Sequence, residues 1–161
     1  MKCYFSVKSE STDRMKKKQV LISFTIPDLG IIFRAYHQGE VDECSYICLL
    51  KLLRFIVSNA KIFEKQKIEI FSHDPEIVYQ VNQKVPCEER LEKLNGLALV
   101  YKGKLKYSLD WIPPGENKAE KGIIDQPQIK SEIPLNFAEL DESVRKKAGP
   151  PSNSRPPASN R

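Results

Sequence analysis

The sequence lacks the cysteine, histidine and glycine patterns that mark metal clusters and phosphate-binding loops. Its four cysteines, at positions 3, 44, 48 and 87, include no C-x-x-C pair, so they indicate neither a zinc finger nor a disulfide framework. Its seven glycines are dispersed and form no glycine-rich phosphate loop. Only two histidines and one tryptophan occur. We therefore expect reduced thiols and no cofactor that depends on such motifs.

Long apolar runs are also missing. A membrane helix needs about 18 consecutive apolar residues, whereas the most apolar stretch, residues 44–57, is interrupted by Lys51 and Arg54. The first residues lead directly into polar sequence, without the apolar core and small-residue cleavage site of a secretory signal. We expect a cytoplasmic protein that does not span a membrane.

The composition suits one domain followed by a tail. The chain has 161 residues, of which 40% are hydrophobic and 29% charged, with a net charge of +5. We expect a domain over residues 1–124, an extension over 125–148 with the spacing of a short helix, and a disordered tail over 149–161. The tail has proline and serine but no large apolar side chain, so burial cannot offset the entropy of ordering it.

The first part of the chain alternates in the manner of β-strands. Residues 2–8, 19–26 and 31–37 place apolar and polar side chains at a period of two, which is the pattern of a strand with one buried face. Residues 27–30, with the sequence PDLG, have the chemistry of a turn. Three consecutive antiparallel strands are therefore predicted.

The period changes after Asp42, which we expect to be the N-cap of a helix. Residues 45–57 run too long for a strand and leave only a narrow polar stripe, so a largely buried helix is predicted. A short strand over residues 67–72 follows. A strand-helix-strand connection of this length favours parallel addition to the sheet.

The remaining elements complete an α/β pattern. Pro75 begins a short helix, residues 87–100 have the spacing of a second long helix, and residues 104–112 alternate as a fifth strand. This alternation puts Trp111 on the buried face, whereas a base-stacking role would require an exposed ring. A short helix is also expected over residues 117–124. The prediction is a five-stranded mixed sheet, with three antiparallel strands and then two parallel additions, flanked by helices.

The order of these elements resembles the ribonuclease H-like fold, and three segments strengthen the resemblance. Residues 45–53, SYICLLKLL, are similar to the helix motif E-Y-x-A-L-L-x-A-L. Residues 70–81, IFSHDPEIVYQV, are similar to a strand-to-helix segment in which S-D-S precedes V-V-x-Q-V. Residues 111–120, WIPPGENKAE, are similar to the W-V-P-R-E-x-N-x-x-A-D segment of the bacterial and plant reverse-transcriptase-like branch.

The resemblance implies cleavage of the RNA strand of RNA/DNA hybrids by two metal ions held between converging carboxylates. This sequence departs from that pattern, because the three positions of the family's first carboxylates fall at Val7, Ser45 and His73. The closing aspartate is matched only by Glu120, one residue early. Valine cannot ligate a metal, and serine and histidine bring no negative charge for Mg²⁺. We expect a pseudoenzyme with no inherited metal site and no catalytic residue.

Binding without catalysis is the first hypothesis. A degenerate domain of this kind would bind nucleic acid, either an RNA/DNA hybrid or double-stranded RNA, or a protein partner. Contacts to phosphates carry no sequence information and need only basic side chains on one surface. The residues expected to make them are Lys8, Arg14, Lys16, Lys17, Lys18 and Lys118.

Two other hypotheses remain open. The second is an active ribonuclease that needs Mg²⁺ or Mn²⁺ and has a rearranged carboxylate site. Its candidate residues are Asp74, Asp110, Glu116 and Glu120. The third is an interaction protein in which residues 126–147 dock on a partner and the proline-rich end acts as a tether. A softer metal bound by His73 with Cys44 or Cys48 is less favoured, since cysteines among apolar neighbours are typical of a core.

Overall fold

The computed structural model describes residues 1–10 and 19–120, so the expectations for residues 11–18 and 121–161 lie outside the described part. A five-stranded sheet lies at its centre. The strands are β1 (Lys2–Glu10), β2 (Gln19–Ile26), β3 (Ile31–Gln38), β4 (Glu69–Ser72) and β5 (Ser108–Trp111). The helices of this part are α1 (Val41–Ser58), α2 (Ala60–Phe63), α3 (Pro75–Val81) and α4 (Glu92–Leu105). Short 3₁₀ turns occur at Pro27–Leu29, Glu89–Leu91 and Pro114–Glu116.

The strand order in the sheet is β3-β2-β1-β4-β5. Strands β1, β2 and β3 pair antiparallel, β4 adds parallel to β1, and β5 adds parallel to β4. The parallel additions need helical crossovers, and the helices after β3 and β4 supply them. The predicted five-stranded mixed sheet flanked by helices is confirmed.

A tight turn joins β2 to β3. The 3₁₀ turn Pro27–Leu29 is closed by a hydrogen bond from the Gly30 backbone N–H to the Pro27 carbonyl at 3.0 Å. Gly30 has a φ of 64°, in the left-handed region that glycine adopts without steric cost. The turn therefore sets the register in which Ile26 pairs with Ile31.

The main core lies between α1 and one face of the sheet. Phe24 stacks on Phe33 with ring centroids 5.0 Å apart and lies 6.1 Å from the Phe55 ring of α1. All three rings are fully buried. Each large apolar side chain buried in this way contributes roughly 1.5–3 kcal/mol. The long apolar run predicted as a helix thus forms α1, which covers the antiparallel half of the sheet.

Strand β1 is buried on both faces, and the expectation of one buried face is wrong for it. Cys3 and Phe5 face the core, but Tyr4 and Ser6 on the opposite face are also less than 9% exposed. Residues 118–119 lie over this second face, where Nζ of Lys118 is 5.6 Å from the centroid of the Tyr4 ring and the Ala119 carbonyl accepts from the Ser23 hydroxyl on the neighbouring strand. Alternation in the sequence reports which residues are polar, and it cannot report what covers the second face.

Asp42 is not the N-cap of α1. The helix begins at Val41, and Glu40 occupies the cap position without a side-chain capping bond. Asp42 instead lies in the first turn and accepts hydrogen bonds from the Arg90 guanidinium, 48 residues away. The Asp42 carboxylate therefore forms a long-range ion pair instead of a helix cap, and the local sequence could not indicate this pairing.

The fifth strand is shorter than predicted and begins later. Helix α4 continues to Leu105, because Leu94, Ala98, Tyr101 and Leu105 keep helical spacing and pack against the core. Lys106 then adopts a left-handed conformation with a φ of 53° and ends the helix. Leu105 fits both the helical and the alternating pattern, and in the structure it is the last residue of α4.

Trp111 is 47% exposed, so its expected burial is wrong. It ends β5, an edge strand of the sheet, where no further strand of the described ranges covers it.

Smaller differences concern element ends. The strand expected over 67–72 begins at Glu69, and the connection before it contains α2. Residues 118–120 form a turn rather than the start of a helix. None of the helices in the described ranges is long and apolar enough to cross a bilayer.

Candidate functional site

The parallel strands β1 and β4 point their carboxyl ends at one edge of the sheet, where α1 and α3 begin. A pocket of about 450 Å³ opens at this edge and contains the positions expected from the sequence. We call it the acidic pocket, and its lining residues are Val7, Glu40, Val41, Asp42, Ser72, His73, Asp74 and Glu76. Four of these side chains are carboxylates and none is lysine or arginine.

The Asp74 carboxylate caps one helix and hydrogen-bonds to another. It is the N-cap of α3, where its Oδ1 accepts the Glu76 backbone N–H at 3.0 Å. Its Oδ2 accepts a hydrogen bond from the Ser45 hydroxyl at 3.0 Å, which ties α1 to α3. The Asp74 backbone N–H donates to the Ser72 hydroxyl at 3.2 Å. Both carboxylate oxygens therefore already have donors from the protein.

The Asn117 side chain links β1 to the residue that follows β4. Its Nδ2 donates to the Phe5 carbonyl at 2.9 Å and lies 2.8 Å from Nδ1 of His73. Its Oδ1 accepts the Ala119 backbone N–H at 3.0 Å, which assigns the amide orientation. Because Nδ2 donates, Nδ1 of His73 accepts and the neutral ring carries its proton on Nε2. That nitrogen lies 3.5 Å from Oε1 of Glu120.

The indole of Trp111 closes one side of this arrangement. Its Nε1 donates to the His73 carbonyl at 3.0 Å. The bond holds a half-exposed aromatic ring beside the end of β4.

Asp42, a second carboxylate of the acidic pocket, has a charged partner. The Arg90 guanidinium bonds both of its carboxylate oxygens and holds the pKa of Asp42 below its usual value. The charge of Asp42 is thus balanced by Arg90 in the 3₁₀ turn Glu89–Leu91.

Both cysteines considered as ligands are fully buried in the core, as expected. The Cys48 thiol donates to the Ser23 carbonyl at 3.2 Å, and burial raises its pKa to about 12. Burial also raises the pKa of the Cys44 thiol. Neither thiol joins His73 in a group of metal ligands within the described ranges.

Comparison with known proteins decides the fold. No protein-family model and no curated protein matches the sequence. Ribonuclease H1 from the halophilic archaeon Halobacterium salinarum NRC-1 matches with a TM-score of 0.56 and 16% identity, over 73% of this chain and 89% of that chain. LC11-RNase H1, solved in complex with an RNA/DNA hybrid, matches with a TM-score of 0.55 and 15% identity, over 73% of this chain and 88% of that chain. The N-terminal ribonuclease H domain of a Mycobacterium tuberculosis protein matches with a TM-score of 0.52 and 13% identity, over 72% of this chain and 85% of that chain. The chain has a ribonuclease H-like fold.

The ribonuclease H-like fold and the sequence resemblance together imply two divalent metal ions at the acidic pocket. Its residues do not fit them. Val7 offers no donor atom, the Ser45 hydroxyl donates to Asp74, and His73 is held by Asn117 and Glu120. Hard ions such as Mg²⁺ require carboxylate oxygens that converge on one position. We therefore assign no chemical step to a bound metal.

The structure does not gather the four carboxylates of the rearranged site. Asp74 caps α3, Asp110 is exposed on β5, and Glu116 is exposed in the turn Pro114–Glu116. Glu120 lies against His73 instead. Within residues 1–10 and 19–120, no three side chains from His, Cys, Asp and Glu form a group that could hold a metal.

Two of the six expected phosphate contacts can be placed. Lys8 is exposed on β1, and Lys118 is exposed with its Nζ 5.6 Å from the centroid of the Tyr4 ring. The other four, which lie outside the described residues, are Arg14, Lys16, Lys17 and Lys18.

Sequence reasoning missed two residues near the site. Asn117 lies within the family-like segment 111–120, and the resemblance gave it no role, although it is the one asparagine that this segment shares with the family pattern. Arg34 of β3 lines a second pocket together with Lys8. Nothing in the sequence marks Arg34, since it is one polar residue in an alternating strand.

Proposed function

We propose that this protein is a catalytically degenerate ribonuclease H-like domain that binds nucleic acid, an RNA/DNA hybrid or double-stranded RNA, without metal-dependent cleavage. The observation that carries the proposal is the state of the acidic pocket. The positions of the family's carboxylates hold an apolar side chain, a hydroxyl and an imidazole, and the two polar groups are paired with neighbouring side chains. The fold can persist without its chemistry because apolar packing specifies the sheet and α1.

Binding is supported by the fold and by the lysines. A neighbour of the same fold, LC11-RNase H1, is described in complex with an RNA/DNA hybrid. Lys8 and Lys118 provide exposed positive charge on the same side of the sheet edge as Glu120 and Tyr4. Such contacts fix a duplex through its phosphates without reading sequence. The nuclease alternative is not favoured, because its carboxylates are not gathered.

The first experiment measures binding of a labelled RNA/DNA hybrid by fluorescence anisotropy as salt rises from about 50 mM to about 200 mM. We expect binding that weakens steeply with salt, because each phosphate contact releases about one counterion. The double variant Lys8→Ala/Lys118→Ala should lower the slope by about 1 to 2. No measurable binding of hybrid or double-stranded RNA at low salt would refute the proposal.

The matched control removes two charges at the opposite edge of the sheet. Lys61 and Lys65 are exposed near the end of α1 that is remote from the acidic pocket. We expect Lys61→Ala/Lys65→Ala to leave affinity and salt slope close to those of the unchanged protein. Equal losses in both double variants would indicate non-specific attraction to the net charge.

Cleavage is tested in parallel with Mg²⁺ and with Mn²⁺. We expect the hybrid to remain intact. Cleavage that disappears in the variant Asp74→Ala/Asp110→Ala/Glu116→Ala/Glu120→Ala would instead establish an active nuclease with a rearranged site. Cleavage that persists in this variant would come from a contaminating enzyme.

A further inference from the structure

A second pocket, of about 340 Å³, lies on the sheet face opposite α1. Its floor is a row of residues paired across three neighbouring strands. Ser6 of β1 pairs with Ser23 of β2, and Ser23 pairs with Arg34 of β3. Lys8 stands one side-chain repeat further along β1 on the same face. We call this the basic pocket.

Lys8 and Arg34 are the two cations among the described lining residues of the basic pocket. Lys8 is exposed and Arg34 is half-buried, while both serines are buried. Lys8 and Arg34 lie two strand spacings of about 4.8 Å apart and are offset by two residues, or about 7 Å, along the strands. Both side chains line the same pocket, so both lie beside the space that one bound group would occupy. The Ser23 hydroxyl donates to the Ala119 carbonyl at 3.1 Å, which holds residues 119–120 as the wall of the pocket.

Charge separates the two pockets. Among the residues that the structure describes, the acidic pocket is lined by four carboxylates, whereas the basic pocket is lined by two cations and one carboxylate. That carboxylate, Glu120, lines the basic pocket and lies 3.5 Å from Nε2 of His73, which lines the acidic pocket. We therefore expect a polyanion to favour the basic pocket over the acidic one.

We propose that the basic pocket binds one phosphate group of the nucleic-acid backbone through Lys8 and Arg34. This inference rests on the proposed function and specifies which side of the sheet edge the nucleic acid contacts. A phosphate oxyanion suits the pocket because guanidinium groups bind it through paired N–H donors and an ammonium group acts as a point charge.

The decisive variant is Lys8→Ala, and its control is Lys2→Ala. Both lysines are exposed on the same face of β1, and six residues, or about 20 Å, separate them. Hybrid binding should weaken about fivefold in Lys8→Ala and keep its strength in Lys2→Ala. The variant Arg34→Gln should weaken binding further, with circular dichroism confirming that this half-buried position still permits folding.

A gain in affinity provides the sharper test. Glu120→Gln removes the negative charge that the described residues bring to the basic pocket, and it keeps an acceptor for His73. We expect this variant to bind the hybrid more tightly by about threefold. Unchanged or weaker binding in a folded Glu120→Gln protein would contradict the phosphate position.

A second arm identifies the source of the phosphate. Inorganic phosphate is titrated into isotope-labelled protein, with chloride at equal ionic strength as the reference, and backbone amide signals are followed by NMR. We expect shifts at Ser6, Ser23 and Arg34 that Lys8→Ala reduces. If hybrid binds but Lys8→Ala and Lys2→Ala are equally affected, the pocket assignment is wrong and the proposed function stands. If phosphate binds in the pocket and no hybrid binds, the nucleic-acid function fails and the site takes a free phosphate compound.

Discussion

The replacement Asn117→Ala should lower the free energy of unfolding more than the loss of a partly buried amide such as that of Asn82. Asn117 is fully buried and makes three side-chain hydrogen bonds, to the Phe5 carbonyl, to Nδ1 of His73 and from the Ala119 N–H. Alanine leaves these partners without the amide, in a place that water reaches poorly. A buried polar group that loses its partner costs about 1–3 kcal/mol. The backbone carbonyl and N–H together should therefore lower the free energy of unfolding by about 3 kcal/mol.

Urea unfolding measures this loss. The chain has one tryptophan, Trp111, whose Nε1 bonds the His73 carbonyl, so its emission reports directly on this edge. Far-ultraviolet circular dichroism follows the whole domain in parallel. We expect both signals to shift to lower urea in Asn117→Ala, with an unchanged slope.

Asn82 provides the matched control. Its Nδ2 donates to the Leu109 carbonyl at 2.8 Å, and its Oδ1 accepts from the Lys102 ammonium group, but it is only partly buried. Water can replace these bonds, so Asn82→Ala should cost about 1 kcal/mol. Equal midpoints for the two variants would refute the reasoning that Asn117 holds the edge together.

Three further predictions concern the cap, the thiols and alkaline pH. Asp74→Ala should lower the free energy of unfolding by about 1–2 kcal/mol and Asp74→Asn by a few tenths, because asparagine can still cap α3; equal losses in urea unfolding would contradict the cap. Burial raises the pKa of the Cys3 and Cys48 thiols to about 12, so Ellman's reagent at pH 8 should react quickly with Cys87 alone in the folded protein and with all four thiols after unfolding. A second fast thiol in the folded protein would count against this. Burial also raises the pKa of Tyr46 to about 12 from its usual value of 10.0, so the unfolded chain loses this proton first. The contribution of Tyr46 to stability should therefore be complete below pH 10 and be lost between pH 10 and 12, and over that range the stability of Tyr46→Phe should fall less than that of the unchanged protein.

Much of the fold follows from periodicity in the sequence. The strands β2 and β3, the turn at Pro27–Leu29 and the helix α1 form where these patterns predict them. The prediction of one buried face is wrong for β2, because Ser23 and Thr25 are buried as well as its apolar residues. The junction of α4 and β5 does not form where it is predicted, because Leu105 satisfies both periods. Packing against the core decides such a residue, and local spacing does not contain that information.

The candidate site was predictable in position and less so in contacts. Order of elements and three family-like segments indicated Val7, Ser45 and His73, and the structure brings Val7 and His73 into one pocket, with Ser45 bonded to Asp74 beside them. The place of Arg34 in the basic pocket could not be predicted, because it depends on the register between β2 and β3. The pairing of Asp42 with Arg90 likewise needs the approach of α1 to the turn Glu89–Leu91.

The sequence by itself determined which residues can be buried and which side chains stand where the family resemblance expects carboxylates. Composition and period are local properties, and they are sufficient for strands, helices and the lack of donor atoms at a valine. Only the tertiary structure decided which polar groups meet, since a hydrogen bond such as that from Asn117 to Phe5 joins residues 112 positions apart. It also separated an acidic pocket from a basic one across a single sheet edge, because side chains of alternate residues in β1 point to opposite faces.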